Sequence, residues 1–140
     1  MATPQQRGYD FEDKFKKSFD DSFPAGFIYK LVDTHSLQGA KRAATNTSKN
    51  NAWNNIIIPK VVSDFICIYN GQTMFVECKS TVNKTSLPLG NIKAHQLEFA
   101  AKIEEAGGRY YFAIRHQVPR NSECFLITLN EKLQTAAEKV

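Results

Sequence analysis

The stretches VVSDFICIY (Val61–Tyr69) and QTMFVECKS (Gln72–Ser80) are separated only by the dipeptide Asn70-Gly71. Both flanks are rich in β-branched and aromatic residues. Both central residues of a type I′ turn need positive φ, which Asn and Gly adopt most readily. The stretch therefore predicts a tight β-hairpin. A two-residue turn sets Tyr69 against Gln72, and counting outward sets Asp64 against Glu77. Opposed residues bring their Cβ atoms within about 4.5–5.5 Å, where two like charges repel unless something compensates. Lys79 lies two residues beyond Glu77, so strand alternation puts it on the same face. Nearer the turn that face carries Ile66, Ile68 and Phe75, and the other carries Phe65, Cys67, Met74 and Val76. The sheet is thus expected to be covered on both sides, with the charged trio where the core gives way to a cleft.

A divalent cation is the natural compensation for two opposed carboxylates. Mg²⁺ prefers hard oxygen donors and takes one or two carboxylates, with water and phosphate oxygens completing its octahedron. Asp64 and Glu77 supply the carboxylates, and the Lys79 side chain suits orienting an attacking water beside a phosphodiester or, as the neutral amine, deprotonating it. A surface cluster of cross-strand salt bridges is the plainer alternative. Gln96 falls four residues from both Ile92 and Ala100, on the buried face of its helix, where an amide needs a partner. Such a partner is either backbone or a group at the metal site. Glu12 lies beside the Phe11, Phe15, Phe19 stripe. It is either an ordinary acid of a helix's first turn or one that reaches the sheet end.

Working outward, Phe11, Phe15 and Phe19 recur every four residues and predict an amphipathic helix from about Gly8 to Ser22, stopped by Pro24 and Gly26. FIYKLVD (Phe27–Asp33) reads as a strand. From Thr34 to Lys60 the pattern is lost in a polar, basic stretch, which predicts a long loop, and loops of that length in a compact domain are usually functional or disordered. After the hairpin a helix is expected from about Asn91 to Ala106, with Asn91 as N-cap and Gly107-Gly108 ending it. RYYFAIR (Arg109–Arg115) and CFLITL (Cys124–Leu129) read as strands, and Asn130 caps a short terminal helix. The order predicts one α/β domain over residues 1–140, a single sheet flanked by helices.

Composition narrows the function classes less sharply. A net charge of +4 and a pI near 9.0 lean mildly toward a polyanionic partner. No apolar run approaches the ~20 residues of a membrane span, and the N-terminus lacks the apolar core of a signal peptide, so a soluble cytoplasmic protein with no membrane partner is expected. Cys67, Cys78 and Cys124 read as small buried hydrophobes rather than a disulfide or zinc framework. His95 and His116 read as solvated or structural.

The string Asp64-x12-Glu77-x-Lys79, preceded by the helical Glu12, resembles the PD-(D/E)XK nuclease signature. Its flanks are more specific. Arg7-Gly8-Tyr9-Asp10-Phe11-Glu12 resembles the RG-x-x-FE opening of RecU-type Holliday-junction resolvases. Lys79-Ser80-Thr81 and Thr85-Ser86-Leu87-Pro88-Leu89-x-Asn91-Ile92-x-x-His95-Gln96 resemble their K-x-T…TSFPL-x-NI-x-x-HQ segment. Archaeal Hjc-type resolvases share a shorter version. Ser63 stands where the signature has proline, and the segment from Asp33 to Ile58 matches poorly.

The resemblance implies a restriction-endonuclease-like αβββαβ core with a central mixed sheet. It implies catalytic roles for Glu12, Asp64, Glu77, Lys79 and Gln96, and a metal held by Asp64, Glu77 and the Cys78 backbone carbonyl. The metal is expected to be Mg²⁺, with Mn²⁺ substituting. The substrate is expected to be four-way junction DNA, nicked symmetrically to leave 5′-phosphate and 3′-hydroxyl ends. A homodimer matches that substrate's two-fold symmetry. A basic loop at about 34–58 is expected to project as a mobile arm at the junction centre. Candidate DNA contacts are Arg7, Ser36, Lys41, Arg42, Lys49, Trp53, Lys60 and Ser80, Ser36 being the candidate for the functional serine of the archaeal relatives. The basic residues either touch DNA or keep the loop soluble, and Trp53 either anchors the loop or stacks on a base. The rivals are a repair or nicking nuclease of the same fold acting on duplex or flap DNA, and a non-catalytic nucleic-acid-binding module.

Overall fold

The computed structural model describes residues 3–32, 39–42, 59–82, 89–117 and 123–128. They form helix α1 (Pro4–Ser22), strands β1 (Phe27–Lys30), β2 (Phe65–Tyr69) and β3 (Gln72–Thr81), and a 3₁₀ turn (Leu89–Asn91). Helix α2 (Ala94–Glu105) and strands β4 (Arg109–His116) and β5 (Glu123–Ile127) follow. The strands make one sheet in the order β1-β2-β3-β4-β5. Only the β3–β4 pairing is parallel, with α2 as the crossover between the two.

The hairpin forms in the register read from the sequence, from Tyr69 against Gln72 to Phe65 against Val76. Asn70 and Gly71 carry the turn with φ of 52° and 76°. Alternation then sorts the sheet into two faces. Phe65, Cys67, Val76, Ile28 and Ala113 pack with Phe11 and Phe19 of α1. On the opposite face Tyr110, Phe112 and Ile114 of β4 pack with Ile92 and Ala100, and Phe75 joins them. Each large apolar side chain enclosed in this way contributes about 1.5–3 kcal/mol.

Several boundaries differ from the pattern reading, each for a local reason. Helix α1 starts at Pro4, because Thr3 and Gln6 form a reciprocal capping box and Pro4 occupies the first helical position. The apolar stripe begins only later. Strand β1 ends at Lys30 rather than Asp33. Strand β2 starts at Phe65 rather than Val61, since the Ser63 hydroxyl donates to the Phe65 carbonyl (2.7 Å) and competes with the ladder. Helix α2 starts at Ala94 with Lys93 as N-cap, and Asn91 belongs to the preceding 3₁₀ turn. The three cysteines are free, but Cys124 is exposed and Cys78 only partly buried. Cys124 is on β5, an edge of the described sheet, and so has no flanking strand on one side. The terminal helix expected from Asn130 lies outside the described residues. So do Ser36, Lys49, Trp53 and most of the expected projecting loop, apart from a helical turn at 39–42 and residues 59–60.

Candidate active site

At the hairpin end away from the turn, hydrogen bonds to two main-chain carbonyls hold Asp64 and its approach just before β2. The Leu31 N–H donates to its carbonyl (2.8 Å), and the Tyr110 hydroxyl donates to the nearby Val62 carbonyl (2.8 Å). The Asp64 side chain then crosses to β3, where Oδ2 accepts from the Cys78 N–H at 2.8 Å. Glu77 sits on β3 between β2 and β4, with Phe112 as its parallel partner. Its Oε1 accepts from Gln96 Nε2 at 2.7 Å and lies 3.4 Å from Lys79 Nζ. Gln96 is held at both ends, because its Oε1 accepts from the Lys93 N–H at 2.9 Å. The amide that caps α2 is thus the amide that orients Glu77.

Glu12 approaches from α1. Its Oε2 is sealed from water, lies 2.9 Å from Lys30 Nζ and accepts no well-aligned hydrogen bond. Lys30 extends from β1 with its ammonium 5.3 Å from the Tyr9 ring centre. The trio of Glu12, Asp64 and Glu77 therefore shares two ammonium groups, Lys30 and Lys79.

Burial, then the charges of Glu77 and Glu12, push the Asp64 carboxyl up to about 8, against the pull of the Cys78 N–H and Lys79. Glu77 is raised mainly by burial, with Lys79 working against the shift. Two acids that resist ionising together form a site that a divalent cation would relieve. The donor chemistry fits a hard ion. The Cys78 side chain packs into the core on the α1 face, opposite to Glu77 and Lys79, and burial raises its thiol. What remains is carboxylate and carbonyl oxygen, the ligand class of Mg²⁺ and Mn²⁺. Among the described residues no three His, Cys, Asp or Glu side chains form a ready cage. A protein share of one or two carboxylates, completed by water and phosphate, is the usual pattern for Mg²⁺.

The structure brings Asp64, Glu77, Lys79 and Gln96 together, with Glu12 close enough to raise both other acids. Ser80 is on the α1 face by alternation, opposite to Glu77 and Lys79, and its hydroxyl accepts from Arg115 (3.4 Å). The Arg7 carbonyl also accepts from Arg115 (3.1 Å). Lys60 and Arg42 are exposed, whereas Lys41 is partly buried. His95 packs edge-on to Phe99 and titrates below its ordinary value, first through burial and then through Lys60, Lys79 and Lys93. Pattern reading missed Lys30 and Arg115. For Arg115 a signal existed: alternation puts it on the same face as the buried Ala113, where an unpaired arginine does not belong.

The model of the family described as Recombination protein U matches residues 27–139. The chain is 30% identical over 135 residues to a Holliday junction resolvase RecU of Mycoplasmopsis pulmonis, covering 96% of this chain and 76% of that protein. Two others with the same description match more closely over shorter spans. That of Staphylococcus epidermidis is 42% identical over 53 residues, covering 38% of this chain and 26% of the relative. That of Shouchella clausii is 35% identical over 65 residues, covering 46% and 30%. Against these two the chain spans less than a third of the relative's length. The solved structure of the Holliday junction resolvase Hjc of Archaeoglobus fulgidus superposes with a TM-score of 0.54 at 11% identity, covering 88% of this chain and 78% of that one. That likeness shows the fold, which is restriction-endonuclease-like. The match over most of the chain, together with the near-complete alignment to the Mycoplasmopsis protein, shows that this chain belongs to the RecU family.

Proposed function

We propose that this chain is a metal-dependent endodeoxyribonuclease that resolves four-way DNA junctions by paired, symmetric nicking. One observation carries the proposal: the buried Glu77 and the partly buried Asp64 converge beside a lysine and a doubly bound glutamine, at one strand end of a RecU-family chain. A non-catalytic binding module has no use for acids held in so unfavourable a state. The similar proteins are Holliday junction resolvases, which favours junction DNA over duplex or flap as substrate.

Asp64, Glu77 and the Cys78 carbonyl would hold the cation, Mg²⁺ with Mn²⁺ as substitute. When bound, it supplies Lewis-acid stabilisation of charge on the phosphate and lowers the pKa of water. The protein's own part is orientation. The Cys78 N–H aims Asp64, Gln96 aims Glu77, and Lys79 stands 3.4 Å from Glu77, placed to hold a water or a phosphate oxygen. Glu12 and its partner Lys30 adjust the charge of the cleft. The chain acts as a single nuclease domain in the cytoplasm and as a homodimer, since two symmetric nicks call for two related sites. Among the described residues no helix is long and apolar enough to cross a membrane.

The test is cleavage of synthetic four-way junctions, duplexes and flaps, with and without Mg²⁺. Paired nicks on the junction alone, lost on chelation, are expected. Equal cutting of duplex and junction would favour the repair-nuclease alternative, and binding without cutting would favour the binding module.

A further inference from the structure

Arg115 is buried near the end of β4, on the face that α1 covers, and its guanidinium ties several elements together. Nη1 lies 3.1 Å from Asp10 Oδ2, and Nη2 donates to the Arg7 carbonyl (3.1 Å) and to Gln117 Oε1 (3.2 Å). Nε donates to Ser80 Oγ (3.4 Å), and the group lies 5.0 Å from the centre of the Phe11 ring. Asp10 is half exposed and is shared with Lys14 at 3.0 Å, so the only acid on Arg115 among the described residues is also engaged elsewhere.

A buried cation with half an acid for company is an expensive way to fill space, and an apolar side chain there would be cheaper. What the guanidinium offers, and an apolar group does not, is a planar fork that holds several acceptors in fixed directions. Apart from Gln117 just after β4, those acceptors belong to the turn of α1 that leads into Glu12 and to the β3 residue next to Lys79. Fixing them together fixes the distance from Glu12 to the acids of the hairpin. Glu12 bears on both of them, since its charge raises Asp64 and Glu77.

The geometry points to Arg115 as a positioning residue that sets where Glu12 stands relative to Asp64 and Glu77, and so sets the affinity of the carboxylate site for a divalent cation. This rests on the metal-dependent nuclease proposed above. Displacing Glu12 removes negative charge from the cleft, so the cation binds more weakly even without DNA.

Two measurements on the full chain test this: Mn²⁺ binding by calorimetry without DNA, and single-turnover cleavage of a synthetic junction. Arg115→Lys keeps the charge and loses the fork. It is expected to weaken Mn²⁺ binding by about tenfold and to slow cleavage similarly, with the KM for junction DNA within about twofold. Phe19→Leu, in the α1 contact away from the site, serves as a control that destabilises the fold while keeping Mn²⁺ affinity and cleavage rate. If Arg115→Lys binds Mn²⁺ like the parent, or if Phe19→Leu weakens binding as much, the positioning role is overturned. Should Arg115→Lys fail to fold, Asp10→Ala removes one acceptor at a half-exposed position. A smaller loss of affinity in the same direction then supports the role, and parent-like affinity overturns it. Glu77→Gln separates this inference from its premise. Parent-like cleavage by Glu77→Gln overturns the nuclease site itself. Loss of Mn²⁺ binding in Glu77→Gln beside parent-like binding in Arg115→Lys overturns only the positioning role.

Discussion

The two ends of one hairpin make opposite use of the same pair of strands. At the turn end, local chemistry suffices: Asn70 and Gly71 take positive φ, and the adjoining Ile68 and Tyr69 are each 40% exposed. At the open end Glu77 is only 7% exposed, while Asp64, Glu12 and Lys79 are largely enclosed. Apolar groups meet water where the strands need only a turn, and charges lose water where they converge on one point. A chain selected for stability alone would reverse this. The contrast fits the proposal that stability is given up for chemistry at the open end.

The sharpest way to break the contrast is to neutralise an acid at the open end. Glu77→Gln or Asp64→Asn should lower junction cleavage by roughly a thousandfold while junction binding persists or strengthens, because repulsion toward phosphate falls with the lost charge. Normal turnover by either variant, in a gel assay of nicked arms, would sink the assignment. Lys79→Ala should lose turnover as well while still binding Mn²⁺ by calorimetry.

Gln96→Leu tests whether the open end depends on orientation as well as charge. It removes a partner from Glu77 Oε1 and another from the Lys93 N–H, so metal affinity and rate should fall about 10–100-fold with all ligands present. An unchanged metal titration would show that Glu77 needs no second holder.

The enclosed acids also predict how stability follows pH. Asp64 is raised from an ordinary 3.8 to about 8 in the folded protein. The folded state therefore prefers the protonated acid, and its contribution is complete below pH ~4 and lost as pH rises toward 8. Metal-free protein should be less stable at pH 8 than at pH 5 on this account. Asp64→Asn should flatten that slope, and added Mg²⁺ should restore stability at the higher pH. Scanning calorimetry at both pH values decides it, and equal slopes in parent and variant would contradict the burial argument.

At the turn end Gly71→Ala places a side chain at φ 76°, with open space around it. The cost should be backbone strain alone, about 1–2 kcal/mol of stability, with the junction-cleavage rate unchanged below the melting temperature. A loss of activity beyond the unfolded fraction would mean that turn and site are coupled, and the two ends would no longer count as separate devices.

How much of this could be read from the chain depends on how far apart the partners stand. The hairpin, its register and the common face of Glu77 and Lys79 follow from neighbouring residues, because a two-residue turn and a period of two leave few alternatives. Counting sets Asp64 against Glu77, whereas the ladder ends at Phe65 against Val76 and the Asp64 carboxylate turns to the Cys78 N–H. The buried face of Gln96 follows from helical spacing, but its double attachment depends on α2 lying over β4, next to β3, with Lys93, not Asn91, at the N-cap. Lys30 meets Glu12 only because β1 is the edge strand beside α1. Arg115 meets Asp10 across 105 positions of sequence. Cys124 is apolar in its local run yet exposed, because β5 lies at the sheet edge. Local stereochemistry determined which residues face the site, since alternation and turn geometry act within a few residues. Only packing decided which of them touch, since long-range contacts depend on the order of strands and the docking of helices, which no short window of sequence contains.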